Sequence, residues 1–133
     1  PTFVGARGSG RSFWEYSIHQ VEMIVTLMGT GAKRVMQCGN STTFHMVIEY
    51  KDERRASMTL MPGQGFQVSA SNGTESVVIN EMSDFFPNLI EAMLKFFDTG
   101  ISPIDKRETI EIASIVAAGI KALEKPYTWF NID

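Results

Sequence analysis

Two alternating segments in the middle of the chain constrain the fold most. In 42–50 and 55–61 nearly every second residue is apolar, and a charged run, Lys51-Asp-Glu-Arg, separates the two segments. The apolar positions are Phe44, Met46, Ile48 and Tyr50 in the first segment and Ala56, Met58 and Leu60 in the second. Alternation with a period of two is typical of strands that bury one face. We therefore predict an antiparallel hairpin whose apolar face must be covered by another layer.

Further strand-like segments flank this hairpin. Residues 33–38 precede it, and residues 66–71 and 76–80 follow it. Between the last two lies Asn72-Gly73, the signal for a type I′ hairpin turn, which needs positive φ at both central residues. Residues 127–132 are extended and aromatic enough to form a last strand. These segments predict one antiparallel or mixed sheet.

Three segments have helical periodicity. The first begins at Ser12, a good N-cap with Glu15 three residues later in a capping-box pattern, and it ends at Gly29. Its apolar face is predicted to contain Trp14, Ile18, Val21, Val25 and Met28. The others span residues 84–99 and 105–124. The order of helix, strands, two helices and strand predicts an α+β fold, with the helices on one face of an open sheet.

The composition is that of a single globular domain. The 133 residues are 44% hydrophobic and 20% charged, with a formal net charge of −3, and a chain of this length can bury a core without cross-links. The negative charge argues against a nucleic-acid partner, and no apolar run approaches the roughly 18 residues of a membrane span. The single cysteine, Cys38, cannot form an internal disulfide, so a cytoplasmic location is expected. Residues 1–11, rich in glycine and without period, are predicted to be irregular, which leaves residues 12–133 as the domain.

The first predicted helix carries the candidate for chemistry. Glu15, His19 and Glu22 share one stripe at i, i+4 and i+7. In one interpretation, His19 is a core or interface histidine whose ring nitrogens are satisfied by Glu15 or Glu22. In the other, it is a proton-transfer residue that an acid one turn earlier orients. No metal site is predicted, because such a site needs three or four ligands and the second histidine, His45, lies on a distant strand.

Two motifs resemble those of a known family. Residues 15–22, Glu-Tyr-Ser-Ile-His-Gln-Val-Glu, followed by Leu-Met-Gly at 27–29, resemble the Asp-x-Gly-x-His-x-x-Asp…Leu-x-Gly motif that opens the C-terminal domain of the Gfo/Idh/MocA oxidoreductases. Residues 96–103 and 108–112 resemble that family's Phe-x-x-Gly-x-x-Pro segment and the helix after it. The chain departs from the pattern at Glu15 and Glu22, where the family has aspartate, and at Ser17, where it has glycine.

The resemblance implies a fold, a reaction and a set of site residues. The fold is an open sheet with helices on one face, of the glyceraldehyde-3-phosphate dehydrogenase-like C-terminal type. The family's N-terminal Rossmann domain holds NAD or NADP, and the domain that this chain resembles builds the pocket for a sugar, polyol or related hydroxyl or carbonyl substrate. His19 matches the general acid/base, and Glu15 matches the aspartate that binds the substrate or orients the histidine. Glu22 matches the second aspartate of the motif. Apart from the resemblance, Arg11 of the glycine-rich first segment is a candidate for substrate contact, and Trp14, Tyr16 and Glu22 are the further candidates for substrate binding.

The resemblance also implies partners. It covers the chain from Ser12 onward, whereas the family's cofactor-binding half lies before this domain. We therefore expect a piece of a longer enzyme that holds no cofactor by itself, is inactive alone and forms homo-oligomers through the open sheet face. One alternative is a standalone, non-catalytic domain that dimerises or binds a small molecule. Another is an enzyme that uses His19 and Glu15 without nicotinamide.

Overall fold

The chain folds around one seven-stranded sheet flanked by helices. A computed structural model describes all residues, 1–133. The elements are β1 (Phe3–Gly8), α1 (Phe13–Met28), β2 (Ala32–Gln37), β3 (Phe44–Tyr50), β4 (Arg55–Leu60), β5 (Gln67–Ser71), β6 (Ser76–Ile79), α2 (Phe85–Thr99), α3 (Lys106–Ala122) and β7 (Phe130–Asn131). The strand order is β6-β5-β1-β4-β3-β2-β7, and β1 runs parallel to β4 while the other neighbours are antiparallel. The predicted α+β class with a mixed sheet is confirmed.

Strand β1 lies near the centre of the sheet, between β4 and β5. The prediction of an irregular segment over residues 1–11 is therefore wrong for Phe3–Gly8. The glycines of this segment are typical of a loop, and for that reason the sequence did not predict a strand. In the structure they allow close packing against the strand instead. A Cβ at Gly8 would collide with the side chains of Gln20 and Phe66, which pack over the strand.

Both predicted hairpins form, but one turn differs from the prediction. Strands β3 and β4 pair from Phe44 opposite Leu60 to Glu49 opposite Arg55, and β5 pairs with β6. Between β5 and β6 only Gly73 has a positive φ, of 96°, so the turn is not type I′. The side chain of Asn72 forms the turn instead, because its Oδ1 accepts hydrogen bonds from the N–H groups of residues 74 and 75.

Helices α1 and α3 cover one face of the sheet. The sheet residues Met46, Ile48, Met58 and Leu60 are completely buried in the core, and Phe44 packs against it. The sequence left open whether these five residues lie under helices or against a second copy, and they lie under helices. The opposite face carries small and polar side chains, including Gly5, His45, Ser57, Thr59 and Ser69, all half-buried.

Helix α1 buries only part of the predicted face: Val21, Val25 and Met28 are buried, whereas Trp14 and Ile18 are not. Trp14 is 64% exposed and Ile18 is 40% exposed. The buried residues are Phe13, Ser17, Gln20, Val21, Ile24, Val25 and Met28. This stripe begins at Phe13, which packs against Phe44 with ring centroids 5.7 Å apart. Two of these buried residues, Ser17 and Gln20, are polar. A prediction from the spacing of apolar residues therefore could not include them.

Helix α2 lies away from the core. Its predicted position is confirmed, but none of its residues is buried, so the prediction that helices cover one sheet face holds for α1 and α3 only. One half of the helix, which we term the apolar face of α2, consists of Phe85, Phe86, Leu89, Ile90, Met93, Leu94, Phe96 and Phe97, each 40 to 77% exposed. A continuous apolar surface of this kind marks an interaction site. No helix here combines the length and the apolar character that crossing a membrane requires.

Glu111 of α3 holds the start of β2 in place. Its Oε1 accepts hydrogen bonds from the backbone N–H groups of Gly31, at 2.7 Å, and Ala32, at 2.5 Å. We expect Glu111→Ala to lower the free energy of unfolding by about 1–3 kcal/mol, because it leaves two partly buried donors without a partner. Glu111→Gln keeps an acceptor oxygen and should cost less. Urea denaturation of both variants measures the difference, and equal losses would contradict this role for the carboxylate.

Candidate functional site

His19 lies on the outer side of α1, where two recesses of the surface meet. Its side chain is 51% exposed, and its Nδ1 is 3.7 Å from Oε2 of Glu22. The ring stands edge-on to that of Phe66, with centroids 5.9 Å apart. The acid beside His19 is therefore the one that follows it by three residues.

Glu15 faces the start of the helix instead. Its Oε2 accepts a hydrogen bond from Ser12 Oγ at 2.8 Å and lies 3.6 Å from Nε of Arg11. Ser12 makes no side-chain hydrogen bond to the helix backbone, so the predicted capping box is replaced by a bond between the two side chains. The interpretation in which Glu15 orients His19 is not what the structure shows.

The first recess, which we term the polar recess, has a volume of about 580 Å³. It brings together three of the predicted site residues, Arg11, Tyr16 and His19, with the loop residues Ser9, Gly10, Pro62 and Gly63 and with Phe66. The Arg11 guanidinium lies 6.0 Å from the centroid of the Tyr16 ring. A Cβ at Gly10 would collide with Tyr16, so the glycine allows the loop to pack closely against this side chain.

The second recess, which we term the apolar cavity, has a volume of about 680 Å³. Eight of its eleven lining residues are hydrophobic. The eleven lining residues come from three parts of the chain: α1 (His19, Glu22, Met23, Thr26, Leu27), the β5–β6 hairpin region (Phe66, Val68, Ile79), and the start of α2 with the segment before it (Met82, Phe85, Phe86). The rings of Phe66 and Phe85 are 6.3 Å apart. Sequence reasoning found His19 and Glu22 but missed this aromatic wall, because its members are distant in sequence and follow no local motif.

Two predicted site residues line neither recess. Trp14 lies on the solvent side of α1, 64% exposed, and Glu15 is turned toward Arg11. The structure therefore does not bring Trp14 or Glu15 together with His19, although both are close to it in sequence. Trp14 lies five residues before His19 and therefore on a different side of the helix, and the Glu15 carboxylate accepts a hydrogen bond from Ser12 instead of reaching toward His19.

The charged and polar side chains on the opposite face of the sheet form contacts between neighbouring strands. The Glu49 carboxylate is 2.9 Å from Arg34, 2.9 Å from Arg55 and 3.6 Å from Lys33, and the hydrogen bond from Arg34 lowers the pKa of Glu49. The second histidine, His45, shares a hydrogen bond of 2.8 Å with Thr59 on the neighbouring strand. No group of three or more His, Cys, Asp or Glu side chains could hold a metal ion.

No protein-family model and no curated protein matches the chain, but solved structures do. Myo-inositol 2-dehydrogenase from Lactobacillus plantarum superimposes with a TM-score of 0.80 at 11% identity, over 98% of this chain and 56% of that one. Scyllo-inositol dehydrogenase from Lactobacillus casei, solved with NAD(H) and scyllo-inositol, gives 0.74 at 11% identity, over 98% and 56%. Myo-inositol dehydrogenase from Lactobacillus casei, solved with NAD(H) and myo-inositol, gives 0.77 at 9% identity, over 100% and 54%.

These similarities define the class of fold. The chain has the α+β fold of the C-terminal domain of Gfo/Idh/MocA-type dehydrogenases, which is the fold that the sequence motifs implied. It spans just over half the length of the structures it matches. At 9 to 11% identity the likeness is one of architecture.

Proposed function

We propose that this chain is the substrate-binding domain of a longer NAD(P)-dependent oxidoreductase of the Gfo/Idh/MocA type, located in the cytoplasm. Its substrate is a sugar, polyol or related molecule with a reactive hydroxyl or carbonyl group. The observation that carries the proposal is the position of His19, half-exposed where two recesses meet, on a fold that solved inositol dehydrogenases share. In this proposal NAD or NADP is held by a companion Rossmann domain and not by this chain alone.

His19 handles the proton of the reaction. A neutral imidazole nitrogen accepts the proton of the substrate hydroxyl during oxidation, and the imidazolium returns it during reduction. The nicotinamide of the companion domain supplies the hydride acceptor or donor. Glu22, 3.7 Å from Nδ1, stabilises the imidazolium and leaves Nε2 for the substrate. Arg11 and Tyr16 contact the substrate from the polar recess.

The exposed apolar face of α2 supports the existence of a companion domain. This face leaves eight large side chains unburied, and the solved structures with this fold are nearly twice as long as the chain. We assign the residues of this face that do not line the apolar cavity, from Leu89 to Phe97, to contact with the companion domain. Homo-oligomers form through the open sheet face, where the small residues Gly5, Ser57 and Ser69 allow close approach of a second sheet.

The second candidate function is a standalone domain that binds a small molecule. The apolar cavity favours it, because a recess of about 680 Å³ is formed by residues of this chain alone and falls in the size range of ligand sites.

The intact mass of the protein made from its native gene distinguishes the oxidoreductase domain from the standalone binding domain. We expect a mass larger than that of 133 residues by a cofactor domain of about 100–150 residues. Calorimetry should then detect NAD(H) or NADP(H) binding to the longer protein and none to residues 1–133. A native protein of 133 residues, or a longer one that binds neither cofactor, would favour the standalone alternative.

A further inference from the structure

We infer that the apolar cavity accepts a substrate that carries an apolar ring or chain next to its reacting hydroxyl or carbonyl group. This inference rests on the proposed function, because it takes His19 as the residue that meets the reacting oxygen. It narrows the substrate class from polyols in general to molecules with one polar end.

The polar groups of the cavity all lie on one wall. His19, Glu22 and Thr26 are the only lining residues with a charged or polar side chain, and all three come from α1 at i, i+3 and i+7. This spacing puts them along one edge of the helix. The part of a bound molecule that lies inside the cavity therefore finds hydrogen-bonding partners on one side only, along the helix edge where His19 also borders the polar recess.

The opposite wall is aromatic and aliphatic. Phe66, Ile79 and Phe85 contribute no side-chain nitrogen or oxygen. A polyol in this cavity would turn several hydroxyl groups toward these side chains, and each hydroxyl would lose its water without gaining a partner. A molecule with an apolar body avoids this loss and gains from burial of its own surface.

Phe66 of this wall is also held in place. Phe66 contacts His19 on one side, with ring centroids 5.9 Å apart, and Phe85 on the other, at 6.3 Å. It packs over Gly8, where any larger residue would displace it. A pocket whose side chains are already positioned loses less conformational entropy when it binds a ligand.

Cyclohexanol and myo-inositol are matched probes, since both have a six-carbon ring but one has a single hydroxyl and the other six. Binding can be measured by NMR from the chemical shifts of the methionine methyl groups. Met23 and Met82 line the cavity, whereas Met28, Met46 and Met58 are buried in the core and serve as internal references. We expect saturable shifts at Met23 and Met82 with cyclohexanol, and an affinity about tenfold or more above that for myo-inositol.

Two variants locate the binding. Phe85→Ser changes the cavity wall at a residue 56% exposed, and Ile104→Ser changes a residue between α2 and α3, 55% exposed, that lies outside both the cavity and the apolar face of α2. We expect the first to weaken cyclohexanol binding about fivefold or more and the second to leave it unchanged. Equal effects of the two variants, equal affinities of the two probes, or shifts that do not saturate would overturn the inference. So would loss of cyclohexanol binding in the longer native protein, because the companion domain would then fill the cavity.

The two proposals fail separately. A longer protein that oxidises polyols with NAD(P) but does not bind cyclohexanol would retain the proposed function and lose the substrate class. A native protein of 133 residues that binds cyclohexanol at Met23 and Met82 would lose the oxidoreductase function and keep the ligand site.

Discussion

Replacement of His19 by asparagine in the longer native protein is expected to lower kcat/KM by about 10² to 10⁴-fold, because asparagine cannot exchange a proton with the substrate oxygen. The side chain is 51% exposed, so the fold should tolerate the change. Cofactor binding, measured by calorimetry, should stay the same.

Substitutions of the two neighbouring acids provide the controls. Glu22→Gln should lower the rate less than His19→Asn, because Glu22 acts through its contact with the imidazole. Glu15→Gln should have the smallest effect of the three, since its carboxylate is bonded to Ser12 and paired with Arg11. A loss at Glu15 as large as that at His19 would contradict this arrangement and favour the role that the motif resemblance implies for Glu15.

Substitution of Gly119 by valine is expected to cause a large loss of stability. Gly119 lies on the side of α3 that faces the core, where a Cβ would lie 2.7 Å from Met46 Sδ and 2.8 Å from Phe13 Cζ. Both neighbours are completely buried, so neither can move aside without displacing the core. Such overpacking costs about 1–3 kcal/mol, a large part of the roughly 5–15 kcal/mol that stabilises a domain.

A matched substitution isolates this effect. Ala117 is exposed on the same helix, so Ala117→Val introduces the same branched side chain without overpacking, at a cost of less than about 1 kcal/mol. Urea denaturation of both variants, followed by circular dichroism, measures the difference. If Gly119→Val were as stable as Ala117→Val, the contact between α3, Phe13 and Met46 would be looser than the structure indicates.

The sequence pattern predicted correctly those elements whose pairing partners are near them in the sequence. The β3–β4 hairpin is an example, since its strands are adjacent in sequence and alternate clearly. Strand β1 escaped prediction because its partners begin at Arg55 and end at Ser71, far along the chain, and because its glycines resemble a loop. The buried face of α1 was misjudged for a different reason: Ser17 and Gln20 are polar and yet completely buried.

In the candidate site, too, the residues that are close in sequence were predicted and the distant ones were not. His19 and Glu22 lie on one helix, and a motif identified both. Phe66 is separated in the chain from Met82 and Phe85, and only the tertiary fold makes it their neighbour. The partner of Glu15 could not be read from its spacing, since an acid can reach either the start of its helix or the next turn.

The position of β1 also determines the order in which the chain can fold. Strands β2, β3 and β4 follow one another through short turns, so they can pair early at a low cost in loop closure. Phe3 of β1 pairs with Arg55 and Ser71, so β1, which precedes the other six strands of the sheet, must wait until residue 71 has been synthesised before both of its neighbours exist. Until then β4 and β5 are open edges, which attract other strands. Insertion of β1 is therefore the step that joins β6–β5 to β4–β3–β2, and β7 can pair with β2 only later, when residues 130–131 exist.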